Sequence, residues 1–94
     1  MYLVIVAFDI SDEHVRGRLR RFLRSLGLSM VNRSVYAGAG GQSIAERVKE
    51  KANEILGERD SVFIILVTEG EYNGAILCTS NDCEKIGDRT FEIY

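Results

Sequence analysis

Histidine and cysteine, which build most structural metal centres, are nearly absent: His14 is the single histidine, and Cys78 and Cys83 are the only cysteines. Structural zinc takes four N or S ligands and an iron–sulfur cluster four thiolates, so neither is supported within one chain. A small secreted domain stapled by disulfides carries more cysteines than this. The pair, spaced C-x4-C, reads as two reduced thiols of a cytoplasmic protein. Long apolar runs are missing too. Leu3 to Phe8 and Val62 to Val67 are six residues each, against ~20 for a membrane-spanning helix. No basic segment precedes the first run, as a signal peptide requires. Membrane-spanning and secretory classes are excluded, and no membrane partner is expected.

What is present fits one folded domain over residues 1–94: 94 residues, 46% hydrophobic and 28% charged. The net charge of −2 hides an asymmetry. Residues 1–47 carry seven basic and four acidic side chains, and residues 48–94 carry five and ten. Between Arg16 and Arg33 stand six arginines (Arg16, Arg18, Arg20, Arg21, Arg24, Arg33) with no lysine and no acid. Such an imbalance can mark a nucleic-acid partner even at acidic overall pI.

Residues Tyr2 to Phe8 are apolar and β-branched, right for a strand buried on both faces. Ser11 offers an N-cap, and Val15, Leu19, Phe22, Leu23 and Leu26 recur at helical spacing up to Gly27. Ser29 to Tyr36 reads as a strand and residues 37–42 as a glycine-rich loop. Ser43 to Glu46 has the form of a capping box opening a second helix, closed by Gly57. Asp60 to Thr68, Gly74 to Thr79 and Arg89 to Tyr94 read as further strands, with a turn over Glu69 to Asn73. The pattern leaves open whether residues 29–41 form one strand or a strand, turn and strand bent around Asn32 or at the glycines. Either way it predicts an α/β (α+β) sandwich, one sheet with two helices on one face. With no third helix to cover the other face, a sheet-to-sheet homodimer is the economical cover.

Arg16, Arg20 and Arg24 form an i, i+4, i+8 row beside the apolar arc of the first helix, with Arg18 and Arg21 on its far side. Guanidinium forks match phosphate oxygens, and five on one helix with no acid beyond its first turn favour phosphate binding over a merely solvated face. Asp9 ends the first strand. A carboxylate there suits an Asx turn or a hard-metal ligand, and in a two-fold dimer it would pair with its symmetry mate. His14 reads as solvated, and the glycine-rich loop lacks the phosphate-binding fingerprints. Tyr2, Phe8 and Tyr36 suit base stacking as well as core packing.

In order and spacing, Tyr2-Leu3-Val4-Ile5-Val6-Ala7-Phe8-Asp9-Ile10, Arg16-Gly17-Arg18, Leu26-Gly27 and Ser34-Val35-Tyr36 resemble the CRISPR-associated protein-two family, the small partner of the CRISPR spacer integrase. The resemblance implies a ferredoxin-like fold and a homodimer with facing sheets, residues 89–94 adding as a short strand across the dimer. It implies a Mg2+ shared by Asp9 of both protomers in members that cleave RNA or DNA. It places Arg16 and Arg18 on the family's basic helix, and Ser34 and Tyr36 in its second-strand motif. Phe8 stands where the family usually has tyrosine, Asn32 and Arg33 where glutamine and tyrosine are usual, and Met30 where a basic residue often occurs. The expected role is a CRISPR adaptation component holding duplex DNA for the integrase subunit, with Mg-dependent endonuclease activity on RNA or DNA as a further expectation. The rivals are a standalone endoribonuclease of VapD-like toxin type and a binding domain whose arginines are only solvated.

Overall fold

A computed structural model describes residues 1–88. The first apolar run forms β1 (Tyr2–Asp9), in which Val4, Val6 and Phe8 are buried and alternate with more exposed residues. There follow α1 (Glu13–Ser25), β2 (Ser29–Asn32), β3 (Val35–Ala39), α2 (Gln42–Ile55) and β4 (Ser61–Thr68). The sheet runs β2-β3-β1-β4 with every neighbouring pair antiparallel. β1 and β2 are therefore parallel with β3 between them, the split βαβ arrangement of a ferredoxin-like sandwich.

The strand over residues 29–36 is in fact two. Asn32 Oδ1 accepts the backbone N–H of Ser34 at 2.9 Å, an Asx turn that reverses the chain. The return strand takes in Ala37, Gly38 and Ala39, which by composition belong to a loop and instead pair with Ile5, Val4 and Leu3. Their smallness serves packing. A Cβ at Gly38 would sit 2.7 Å from Leu28 Cδ2 and 2.9 Å from the Gly27 carbonyl oxygen, so β3 lies directly against the link between α1 and β2. Gly27 turns that link at φ +89°, where side chains are strained.

Both helices cover one face of the sheet. Leu19 and Leu23 of α1 and Val48 and Ile55 of α2 pack with Val4, Val6, Phe8 and Tyr36. The caps differ from expectation. Asp12, not Ser11, caps α1, its carboxylate accepting from Val15 N at 3.0 Å. The Ser43–Glu46 capping box does not form, because α2 starts two residues earlier, after Gly41, and Ser43 is already inside its first turn. Its last residue is Ile55, so Gly57 lies beyond the helix end.

The other face has more cover than the sequence pattern suggests. A third helix exists, the five-residue α3 (Glu69–Asn73), opened by a capping box between Thr68 and Glu71 in which the Thr68 backbone and hydroxyl hold the Glu71 carboxyl below the usual glutamate range. A separate hairpin follows, β5 (Ile76–Cys78) and β6 (Cys83–Lys85). Within it Cys78 and Cys83 are directly opposed and disulfide-bonded, which overturns the reading of two reduced thiols: the tight hairpin brings the C-x4-C pair face to face. The hairpin and α3 enclose an apolar cavity of about 390 Å³ with Ile5, Ile65 and Val67 of the sheet. Phe63 remains 62% and Ile65 43% exposed. The expected strand over residues 89–94 lies outside the described residues. Among those described, no helix is long and apolar enough to cross a membrane.

Gly38→Ala should destabilise the fold by ~1–3 kcal/mol through overpacking against backbone. Gly70→Ala, with nothing within 4 Å of a Cβ, should be neutral or stabilising by up to about 1 kcal/mol. Urea unfolding of both variants checks the contrast, and equal midpoints would remove the role assigned to the close approach.

Candidate functional site

The C-terminal end of β1, the exposed side of α1 and the β2–β3 turn surround one cavity of about 780 Å³. Each element reaches it for a local reason. β1 ends at Asp9, exposed and in register with Ser61 of β4. α1 buries Leu19 and Leu23, which turns the row Arg16, Arg20 and Arg24 toward the opening. The Asx turn sets Arg33 and Ser34 on the opposite rim, and the Ser34 carbonyl accepts from Phe8 N at 3.0 Å.

The guanidiniums are held by groups of distinct kinds. Arg16 Nη1 donates to the carbonyls of Ile10 at 2.7 Å and Ser11 at 3.1 Å, while its Nη2 donates to the Glu13 carboxylate. Arg20 Nη1 lies 3.7 Å from the other Glu13 oxygen, and its Nη2 donates to the Arg33 carbonyl at 3.1 Å. Arg20 Nε is buried and finds no acceptor among the described residues. The Arg20 guanidinium also sits 6.0 Å from the centre of the Phe8 ring, within cation–π range. Arg24 Nη1 donates to the Tyr36 hydroxyl at 3.1 Å.

Of the nine residues singled out from the sequence, Asp9, Arg16, Arg20, Arg21, Arg24, Arg33, Ser34 and Tyr36 line this cavity. Arg18 does not. It faces α2, 3.7 Å from Glu54, beside Phe22 and Lys51. Arg21 lines both sides. Phe8 and Tyr36 are core residues, their ring centroids 6.1 Å apart, whereas Tyr2 is exposed. His14 is exposed and outside the cavity lining.

Glu13 is the residue that sequence reasoning misses in this site. Its position marks it only as a first-turn helix acid, although Glu13, Arg16, Arg20 and Arg24 follow the i, i+3, i+7, i+11 spacing of one helical stripe. Arg16, first by its hydrogen bond and then by its charge, with Arg20 adding to it, holds the Glu13 carboxyl below the usual glutamate range. The mutual repulsion that guanidiniums on one helix exert is thus relieved locally, by Glu13, by Glu54 and by the Tyr36 hydroxyl.

The sequence model described as CRISPR associated protein Cas2 matches residues 1–74. A CRISPR-associated endoribonuclease Cas2 of Thermofilum pendens is 55% identical over 92 residues, 98% of this chain and 99% of that protein. One of Archaeoglobus fulgidus, named CRISPR-associated endoribonuclease Cas2 1, is 28% identical over 91 residues, 96% of this chain and 97% of that protein. Among solved structures, a protein named cas2 superposes with TM-score 0.68 at 21% identity, covering 90% of this chain and 97% of that one. A hypothetical protein of Thermus thermophilus superposes with TM-score 0.65 at 23% identity, covering 87% and 93%. Both share the fold.

Because the Glu13 carboxyl is depressed in the folded chain, its contribution to stability is present above the ordinary glutamate pKa and lost as pH falls through the lowered value. A carboxyl-carbon NMR titration should find Glu13 below the usual range in the native chain and shifted back toward it in Arg16→Ala. An unmoved titration curve would remove the assigned cause.

Proposed function

The chain belongs to the CRISPR associated protein Cas2 family, and from that premise we propose that it acts as a homodimer gripping the phosphate backbone of duplex DNA during spacer acquisition, holding it for the CRISPR integrase subunit. The observation that carries this reading is the gathering of five arginines around one cavity in a chain of net charge −2. Planar forks at several heights along one helix suit successive phosphate oxygens. Phosphates carry no base identity, so the grip is indifferent to sequence.

The apolar sheet face supports the dimer. Phe63 and Ile65 stay exposed beside the hairpin, and a second copy packed sheet against sheet would take them out of water. By strand alternation Asp9 falls on that same face as Leu3, Ile5 and Ala7. One chain alone is a poor magnesium site: Asp9 is a lone exposed carboxylate, and no group of three metal-ligating side chains occurs among the described residues. Magnesium favours carboxylate, water and substrate-phosphate oxygens, so the donor chemistry fits an ion shared between Asp9 of both protomers. When bound, such an ion supplies charge stabilisation and an activated water at a phosphodiester. The arginines bind and orient the backbone whether or not cleavage follows. The second reading, endoribonuclease activity, is favoured by the names of the relatives above, and its dependence on magnesium is part of the proposal. The toxin-type alternative draws no support, since the relatives named above are CRISPR-associated proteins.

Reversal of Arg16, Arg20 and Arg24 to glutamate should weaken binding of labelled duplexes of any sequence. The plot of log affinity against log salt should become shallower by ~0.9 for each phosphate that a protomer no longer neutralises. Unchanged affinity returns the helix to a solvated face. Asp9→Asn separates the two readings: it should abolish any RNA cleavage yet leave DNA binding and integrase-driven spacer insertion intact. Insertion that fails while binding persists makes Asp9 part of the reaction. Light scattering at micromolar concentration should give the mass of two chains, and a stable single-chain mass would overturn the dimer.

A further inference from the structure

The acidic side chain nearest the guanidinium row sits in an unusual place. The two Glu13 carboxylate oxygens engage two different arginines, Arg16 Nη2 and Arg20 Nη1, one turn of α1 apart. This is the pattern that two non-bridging oxygens of a phosphodiester make with a pair of guanidiniums. The rest of the seat stays in place without Glu13. Arg16 is anchored to the Ile10 and Ser11 carbonyls, and Arg20 to the Arg33 carbonyl. Arg20 Nε is a buried donor that Glu13 does not satisfy, and leaving such a group unpaired is costly. Glu13 itself is free to leave: its side chain is 76% exposed at the first residue of α1, and exposed ion pairs hold weakly.

From this we infer that Glu13 is a built-in occupant of the Arg16–Arg20 phosphate seat, displaced when a nucleic-acid backbone binds. The inference rests on the phosphate-binding reading above and adds a selectivity to it. A single phosphate entering the seat only exchanges one anion for another. A polymer that displaces Glu13 also places further phosphates against Arg21, Arg24 and Arg33 of the same cavity. The occupant therefore disfavours inorganic phosphate and mononucleotides and favours ligands presenting several phosphates at once.

The test measures duplex binding by fluorescence anisotropy across a salt series for the full chain, Glu13→Gln, Asp12→Asn, and each of the first two combined with Arg16→Ala plus Arg20→Ala. Asp12→Asn removes a neighbouring charge that touches neither guanidinium and keeps a side chain able to cap α1. Thermal unfolding confirms that every variant is folded. Glu13→Gln should tighten binding about three- to tenfold at low salt, because a phosphate no longer has to displace an anion from Arg16 and Arg20, and leave the salt slope nearly unchanged, since the same phosphates are neutralised in both chains. Inorganic phosphate, tested by competition, should gain potency against this variant. In the double-arginine background the gain should vanish. Unchanged or weaker binding by Glu13→Gln, an equal gain from Asp12→Asn, or a gain that survives removal of both arginines would overturn the inference while leaving phosphate binding itself standing. Absence of duplex binding by the unaltered chain would instead overturn the reading on which it rests.

Discussion

A single side-chain contact, Asn32 Oδ1 accepting the Ser34 amide, decides where the middle of the chain goes. Without that reversal, residues 29–39 would run on as one strand, and β1 would lack its neighbour on one side. With it, β3 enters the centre of the sheet, and Tyr36 comes to lie fully buried against Phe8 with its hydroxyl turned to Arg24. The same turn carries Arg33 and Ser34 to the rim of the cavity. Sheet order and site geometry thus have a common origin in three consecutive polar residues.

The basic surface is held together by more than helix periodicity. Five guanidiniums within one cavity would repel strongly if each relied on water alone. Main-chain carbonyls at the end of β1 and in the β2–β3 turn take several of their donors, so the backbone itself orients the arginines. An arginine held in this way loses less conformational freedom when a ligand arrives. Arg18, by contrast, belongs to the contact between the helices, through Glu54. Its neighbours on the stripe differ from it by rotation about α1 and not by residue type.

The two long helices, α1 and α2, and the first strand are legible in the sequence because their signals are strong and local. Leu19 and Leu23 mark the inner side of α1 by spacing alone, and the apolar run of β1 is too short to be anything but a strand. The arginine row is legible for the same reason. Caps are less so, since Ser11 and Asp12 are both good capping residues and only the geometry of Val15 N chooses between them. α3 escapes notice because Glu69–Asn73 carries no apolar period, and its stabilisation lies in the Thr68–Glu71 box at one end. Ala37 to Ala39 resemble a loop because small residues serve equally in a turn and in a strand pressed against a neighbouring chain segment. The role of Glu13 is a tertiary property: it depends on how the Arg16 and Arg20 side chains are drawn inward by carbonyls distant in the helix pattern.

The disulfide in the outlying hairpin has one more consequence. Strands of three residues specify their alignment weakly, and a slip of one position would exchange the sides on which Ile76 and Leu77 project. Cys78 and Cys83 are directly opposite, so the bond between them is compatible with a single alignment. The pairing is written into the covalent structure, and the hairpin remains in frame even during excursions in which its few hydrogen bonds open.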